Sequence, residues 1–160
     1  MIETQYHRTP PTPGRRAAII NNLEKSPVVA SDFSGVWRLN LAQSHIPEVT
    51  KSQTLTIETN GSWVRMREEL LNDKGETLVI TVDGNFDGQD YPVKGTPFAD
   101  TVAYRVLDQR TIEGIAKKGG KVIVKETAVL SESSNTVQVT YLSVDDQGNT
   151  TTSFGIFERV

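Results

Sequence analysis

The sequence predicts an all-β domain of sequential antiparallel strands, arranged either as a sandwich or as an up-and-down barrel. Three observations predict it. From Asp32 onward, apolar and polar residues alternate at period two. Turn-forming clusters punctuate the alternating runs. The stretches between them leave almost no room for helices.

Residues 1–30 stand apart. "HRTPPTPGRR" carries three prolines in ten residues, a composition that excludes regular helix and central strand and reads as an extended arm. "RRAAIINNLEKS" follows, with Ala17 and Ile20, joined by Ile19 and Leu23, toward one side. This pattern predicts a short amphipathic helix of about three turns, too short to persist alone in water. It is either an undocked leader or a helix that packs on the body, a candidate lid over an opening. Residues 31–160 form the second unit.

Four segments of that unit alternate cleanly. "SQTLTIE" sets Leu55 and Ile57 against Thr54, Thr56 and Glu58. "ETLVITVD" groups Leu78, Ile80 and Val82; "DTVAYRVL" groups Val102, Tyr104 and Val106; "NTVQVTYLSV" groups Val137, Val139 and Tyr141. Each is the pattern of a strand with one buried face. "WVRMREEL" places Trp63, Arg65, Arg67 and Glu69 on one face and Val64, Met66 and Glu68 on the other. Its charged face is expected to meet solvent; turned inward, Arg65 and Arg67 would make an anion site. Asn60-Gly61, Asp73-Lys74-Gly75, Lys118-Gly119-Gly120, Ser133-Ser134-Asn135 and Asp146-Gln147-Gly148 supply the turns. The total is roughly eight to ten strands.

The bulk properties narrow the function classes. A chain of 160 residues with net charge -3 is one domain of ordinary size. Its cations are scattered, so a phosphate-tracking stripe and a nucleic-acid partner are not expected. There is no cysteine, which excludes disulfides, zinc–thiolate sites and thiol catalysis. No apolar run approaches the roughly 18 residues of a membrane helix, so membrane insertion is not expected. "VVA" before Ser31 follows "NNLEKSP" rather than an apolar core, so no signal peptide is read. The expected location is cytoplasmic, or periplasmic or secreted if a leader has been removed.

"DGNFDGQDYPVK", Asp83 to Lys94, opens like a calcium-binding EF-hand loop, D-x-N-x-D-G. Such a loop needs flanking helices and a bidentate Glu at its twelfth position. Here a strand-like "LVITV" precedes it and the twelfth residue is Lys94. The stretch therefore reads as an irregular connection between strands, with Asp83, Asp87 and Asp90 as turn formers. No metal site is assigned.

"FSGVWRLN", Phe33 to Asn40, carries a G-x-W element at Gly35-Val36-Trp37. It resembles the signature of the calycin superfamily, which holds the lipocalins and fatty-acid-binding proteins. The closing "GIFERV" is similar to the last strand of the fatty-acid-binding branch. "SGVWRLNLAQS" resembles the start of bacterial lipocalin-like domains. The resemblance spans residues 32–160, about four fifths of the chain. It implies a closed up-and-down barrel of eight to ten strands, with Gly35 bending the chain into the barrel, Trp37 plugging one end and Arg159 stacking on that Trp. Two departures matter. "LAQSHIPEVTKSQ" is too short for the helix pair that covers the fatty-acid-binding barrel. The carboxylate-holding Arg-x-Tyr of that branch falls on Gly155 and Phe157, so fatty-acid specificity does not carry over.

Groups able to do chemistry are few. No serine elbow, P-loop or H-E-x-x-H motif occurs. His7 lies in the proline-rich arm, and His45, in "QSHIPEV", is a candidate base at a barrel mouth. In "KVIVKETAVL", Glu126 shares a face with Val122, Val124, Ala128 and Leu130, where desolvation would raise its pKa. Tyr104 and Tyr141 sit on apolar faces in the same way. The candidate catalytic residues are Glu126, Tyr104, Tyr141 and His45; the candidate ligand contacts are Tyr104, Glu126, Tyr141, Trp63 and Met66. The leading expectation is a protein that binds a small hydrophobic or amphipathic molecule in a barrel cavity, without a cofactor; a homodimer is compatible with it. The alternative is a cyclase or isomerase, similar to the natural-product cyclases built on calycin-like barrels, that folds a flexible apolar substrate in the same cavity. A barrel filled by its own side chains, acting as an interaction module, is the third reading.

Overall fold

Alternating, turn-punctuated segments pair with their sequence neighbours, and in the computed structural model, which describes residues 30–160, this pairing runs full circle. Ten strands follow one another: β1 (Gly35–Leu39), β2 (Thr50–Thr59), β3 (Trp63–Asn72), β4 (Thr77–Asn85), β5 (Asp90–Lys94), β6 (Thr101–Asp108), β7 (Thr111–Lys118), β8 (Lys121–Leu130), β9 (Thr136–Val144) and β10 (Thr150–Arg159). Each is antiparallel to the next, and β1 also pairs with β10, so the sheet closes into a barrel. Closure removes both sheet edges and all their unpaired backbone groups. The sandwich alternative is thereby set aside. The expected N-terminal helix, and with it the lid, lies outside the described residues.

Strand direction defines two ends. The turns after β2, β4, β6 and β8 lie at one end with the start of β1; the turns after β1, β3, β5, β7 and β9 lie at the other. The first end is plugged. Phe33, Trp37, Leu130 and Phe157 are its most completely buried side chains, each contributing about 1.5–3 kcal/mol by burial. The Trp37 Nε1–H donates to the Phe33 carbonyl at 2.9 Å, so the indole is buried without an orphaned donor. The Arg159 guanidinium carbon lies 4.2 Å from the Trp37 ring centroid. That guanidinium also donates to the Ser34 carbonyl at 2.6 Å and the Ser134 carbonyl at 2.9 Å, tying β10 to the segment before β1 and to the β8–β9 turn. Gly35 has φ +143°, and a Cβ there would stand 2.6 Å from Arg159 Nη1. Glycine is thus required both by the backbone and by the arginine. Ser31 N–H donates to the Gln109 carbonyl at 2.6 Å, so the described chain begins at this plugged end.

At the opposite end, the β1–β2 connection holds a short 3-10 turn, Leu41–Gln43, capped by the Asn40 side chain. The Asp83–Lys94 stretch is more regular than expected. Asp83 belongs to β4 and Asp90 to β5, and the turn between them is confined to four residues. The three aspartates serve different partners: Asp83 pairs with Arg65 at 2.7 Å, Asp87 accepts from the Tyr91 hydroxyl at 2.6 Å, and Asp90 pairs with Lys117 at 3.0 Å. β5 is short, contains Pro92, and meets β4 through two residue pairs, Thr81 with Lys94 and Val82 with Val93. A proline lacks the N–H for a full ladder, so this is the thinnest seam in the wall.

Candidate functional site

Alternation sends every second side chain of the wall into the lumen. From β3 these are Val64, Met66, Glu68 and Leu70, so Arg65 and Arg67 face outward, where they pair with Asp83 and Glu69. The inverted arrangement, with an anion site in the barrel, does not occur. Trp63 falls with the arginines on the outer face and is 36% exposed. The expectation that Trp63 touches a ligand is corrected on that ground: it and Met66 stand an odd number of residues apart on a strand whose register is unbroken there, so they face opposite ways. In β8 a register irregularity opposite Ala116 and Lys117 skips Ile123. Ile123 and Val124 consequently both face the lumen, and Val122 turns out to solvent, against the strict alternation expected for it.

The lumen is two chambers in series. The inner one, against the plug, offers about 80 Å³ to the centres of water-sized molecules and is bounded by Phe33, Trp37, Leu55, Ile57, Val137 and Val139. The outer one, toward the unplugged end, offers about 270 Å³ and is bounded by Leu70, Leu78, Ile80, Val93, Phe98 and Ile123. Four residues line both: Met66, Glu68, Tyr104 and Glu126. They form a waist, and the polar groups of the lumen concentrate there.

Register explains how the waist is built. Tyr104 pairs with Gly114, Gly114 with Glu126, and Glu126 with Tyr141, so these four stand at one level on adjacent strands β6 to β9. Gly114 is the gap that lets its neighbours lean together. A Cβ at that position would lie 3.2 Å from Tyr104 Cε1 and 3.5 Å from Glu126 Oε2. Across the lumen, Glu68 comes from β3, and its Oε1 accepts from Nε2 of Gln53, a buried side chain of β2. The Tyr141 phenol lies beside the same amide.

These groups are removed from bulk water while still opening on the lumen. Desolvation raises the Glu126 carboxyl to about 8, with the negative Glu68 adding to it. Glu68 is raised to about 7 by burial, against which the Gln53 amide works by stabilising the ionised form. The Tyr104 and Tyr141 phenols are pushed upward by burial and by the two carboxyls. Two like charges in one poorly solvated space do not ionise independently. Near neutral pH the pair therefore retains proton that an exposed pair would have lost. Tyr104 is 7% exposed, and among the described residues neither its hydroxyl nor the Glu126 carboxyl has a hydrogen-bond partner. Both line the lumen, and their oxygens are open to it rather than enclosed.

Tyr104, Tyr141, Glu126 and Met66 thus meet at or beside the waist. His45 does not join them. It is an exposed residue of the β1–β2 connection, its backbone bridged to Phe154 and its ring 6.3 Å from the Phe154 ring. Three residues of the waist went unread: Glu68, Gln53 and Gly114. Glu68 sits within a run of charges and looks like a surface group; its place in the Val64–Met66–Glu68 alternation was the available signal. Gly114, mid-strand in "TIEGIA", carried the usual mark of a close approach. Among the described residues no three His, Asp or Glu converge in metal-binding geometry.

Comparison with known proteins adds no assignment: neither a protein-family model nor a curated protein sequence matches the chain.

Proposed function

We propose that this protein binds a small hydrophobic or amphipathic molecule in its lumen, as a calycin-like barrel. One observation carries the reading: the barrel is not filled by its own side chains but keeps two adjoining apolar chambers with Glu68, Tyr104 and Glu126 lining their junction. Apolar burial would supply most of the affinity, and the waist would set orientation. The polarity of the wall supports a water-facing exterior, since charged residues such as Arg65, Arg67, Glu69 and Lys125 point outward, the reverse of a lipid-facing barrel. The test is titration with an environment-sensitive apolar dye, together with native mass spectrometry of protein taken from its own host. Saturable binding that is lost when Met66→Trp fills the waist is the expected result. A dye that binds no better than to the unfolded chain would remove the proposal and leave a structural or interaction module.

A second reading has its own support. A carboxyl that keeps its proton near neutral pH, as Glu126 does beside the Tyr104 phenol, is the equipment of a general acid. An acid-assisted cyclase or isomerase would fold a flexible apolar substrate across the two chambers and protonate it at the waist from Glu126. Turnover that falls at least 100-fold in Glu126→Gln while substrate still binds would favour it.

A further inference from the structure

We propose that the waist is a binding site for a basic nitrogen, so that the lumen selects amphiphilic amines and disfavours fatty carboxylates. The inference rests on the lumen being a ligand cavity and names the class of ligand.

It follows from the inventory of groups that face the waist. β3 contributes Glu68, β6 Tyr104, β8 Glu126 and β9 Tyr141; β2 contributes the neutral Gln53, and β7 only Gly114. Among the described residues, no Arg, Lys or His lines either chamber. The only charge that the groups there can acquire is negative. A carboxylate ligand would be a further anion in a space that already resists ionising two, with no cation to offset it. An ammonium reverses each of these terms. It brings N–H donors to oxygens that can accept them: those of Glu126, the free oxygen of Glu68 and the phenol oxygen of Tyr104. It is also attracted to the faces of the two tyrosine rings.

The unsatisfied state of Tyr104 and Glu126 separates a site from a structural pair. Glu68 is tethered by Gln53. Tyr104 and Glu126 both lean over Gly114, yet among the described residues they are not bonded to each other or to any other group. Among the described residues no fully enclosed side-chain polar atom lacks a partner, so the unpaired oxygens of Tyr104 and Glu126 are ones that open on the lumen, where a ligand can reach them. The apolar chambers on either side would take the hydrocarbon of the same molecule, so the ligand is a nitrogen attached to, or flanked by, apolar groups of modest size. Binding of its charged form favours the ionised carboxylates, so proton still held at the waist is released to solvent.

The experiment uses dodecylamine, dodecanol and dodecanoic acid, each below its micelle concentration, competing with a neutral environment-sensitive dye at pH 7.5. The amine is expected to bind about tenfold or more tighter than the acid, as a charge-assisted contact implies. Calorimetry in two buffers of different ionisation enthalpy should show proton release for the amine and none for the alcohol. Tyr104→Phe and the double substitution Glu68→Gln/Glu126→Gln should lower amine affinity while sparing the alcohol. Equal binding of the three, tighter binding of the acid, or amine binding without proton release would overturn the amine assignment and leave the cavity reading standing. Failure of all three compounds and of the dye would overturn both.

Discussion

Replacing Glu126 by glutamine keeps the shape of the side chain and removes its ionisation. In the native barrel the carboxyl titrates at about 8 against an ordinary 4.5. Between those values the native state holds a proton that the unfolded chain has released. The native state then binds more protons, and stability must fall as pH rises. The contribution is fully present below about pH 4.5, drains away through the neutral range, and is gone above about pH 8. A carboxyl raised this far withdraws at most about 5 kcal/mol from the native state once it is ionised in both states. Part of that arises from Glu68, which the substitution also relieves. Glu126→Gln should therefore match the parent within about 1 kcal/mol at pH 5 and exceed its stability by about 2–5 kcal/mol at pH 9. Urea unfolding at pH 5, 7 and 9, followed by tryptophan fluorescence, to which buried Trp37 contributes, measures this directly. If the two proteins give parallel stability–pH profiles, Glu126 is not desolvated in the lumen and the acidic waist is wrongly described.

Other outcomes follow from the same geometry. Gly35→Ala should cost about 2 kcal/mol or more, since it combines a positive φ with a clash against the Arg159 guanidinium; thermal unfolding would show it. Arg159→Met should lose about 2–3 kcal/mol through the carbonyl bonds to Ser34 and Ser134 and the contact with Trp37, and an unchanged urea midpoint would contradict the plug. Gly114→Val should press on Tyr104 and Glu126 and weaken any lumen ligand severalfold more than it weakens the fold, read by dye titration against urea unfolding. Trp63→Ala, on the outer face, should leave ligand affinity unchanged, and a loss of more than about threefold would return Trp63 to the lumen.

The strand pattern was legible because a wall one residue thick writes its two sides directly into the chain. Leu55 and Ile57, Leu78 to Val82, and Val137 to Tyr141 all show the face that the lumen takes. The alternation also placed Glu126, Tyr104 and Tyr141 on apolar faces, while the closed barrel decides that those faces turn to the lumen. Trp63 misled because an aromatic side chain suggests a ligand contact regardless of parity. Val122 misled because the irregularity at Ile123 has no local signature in an unbroken run of apolar residues.

Local alternation and turn chemistry settle that strands form and, away from irregularities such as that at Ile123, which side chains share a face, because these depend on neighbours two to four residues away. Whether the sheet closes is a different matter. It depends on β1 meeting β10 across more than a hundred residues, through pairs such as Trp37 with Arg159, and period-two reading is blind to that separation. The same holds for the waist. Glu68 and Glu126 lie far apart in the chain, and each alone is an ordinary glutamate. Closure brings both into one dry lumen, where desolvation and mutual repulsion change their chemistry, and neither force exists until the barrel is complete.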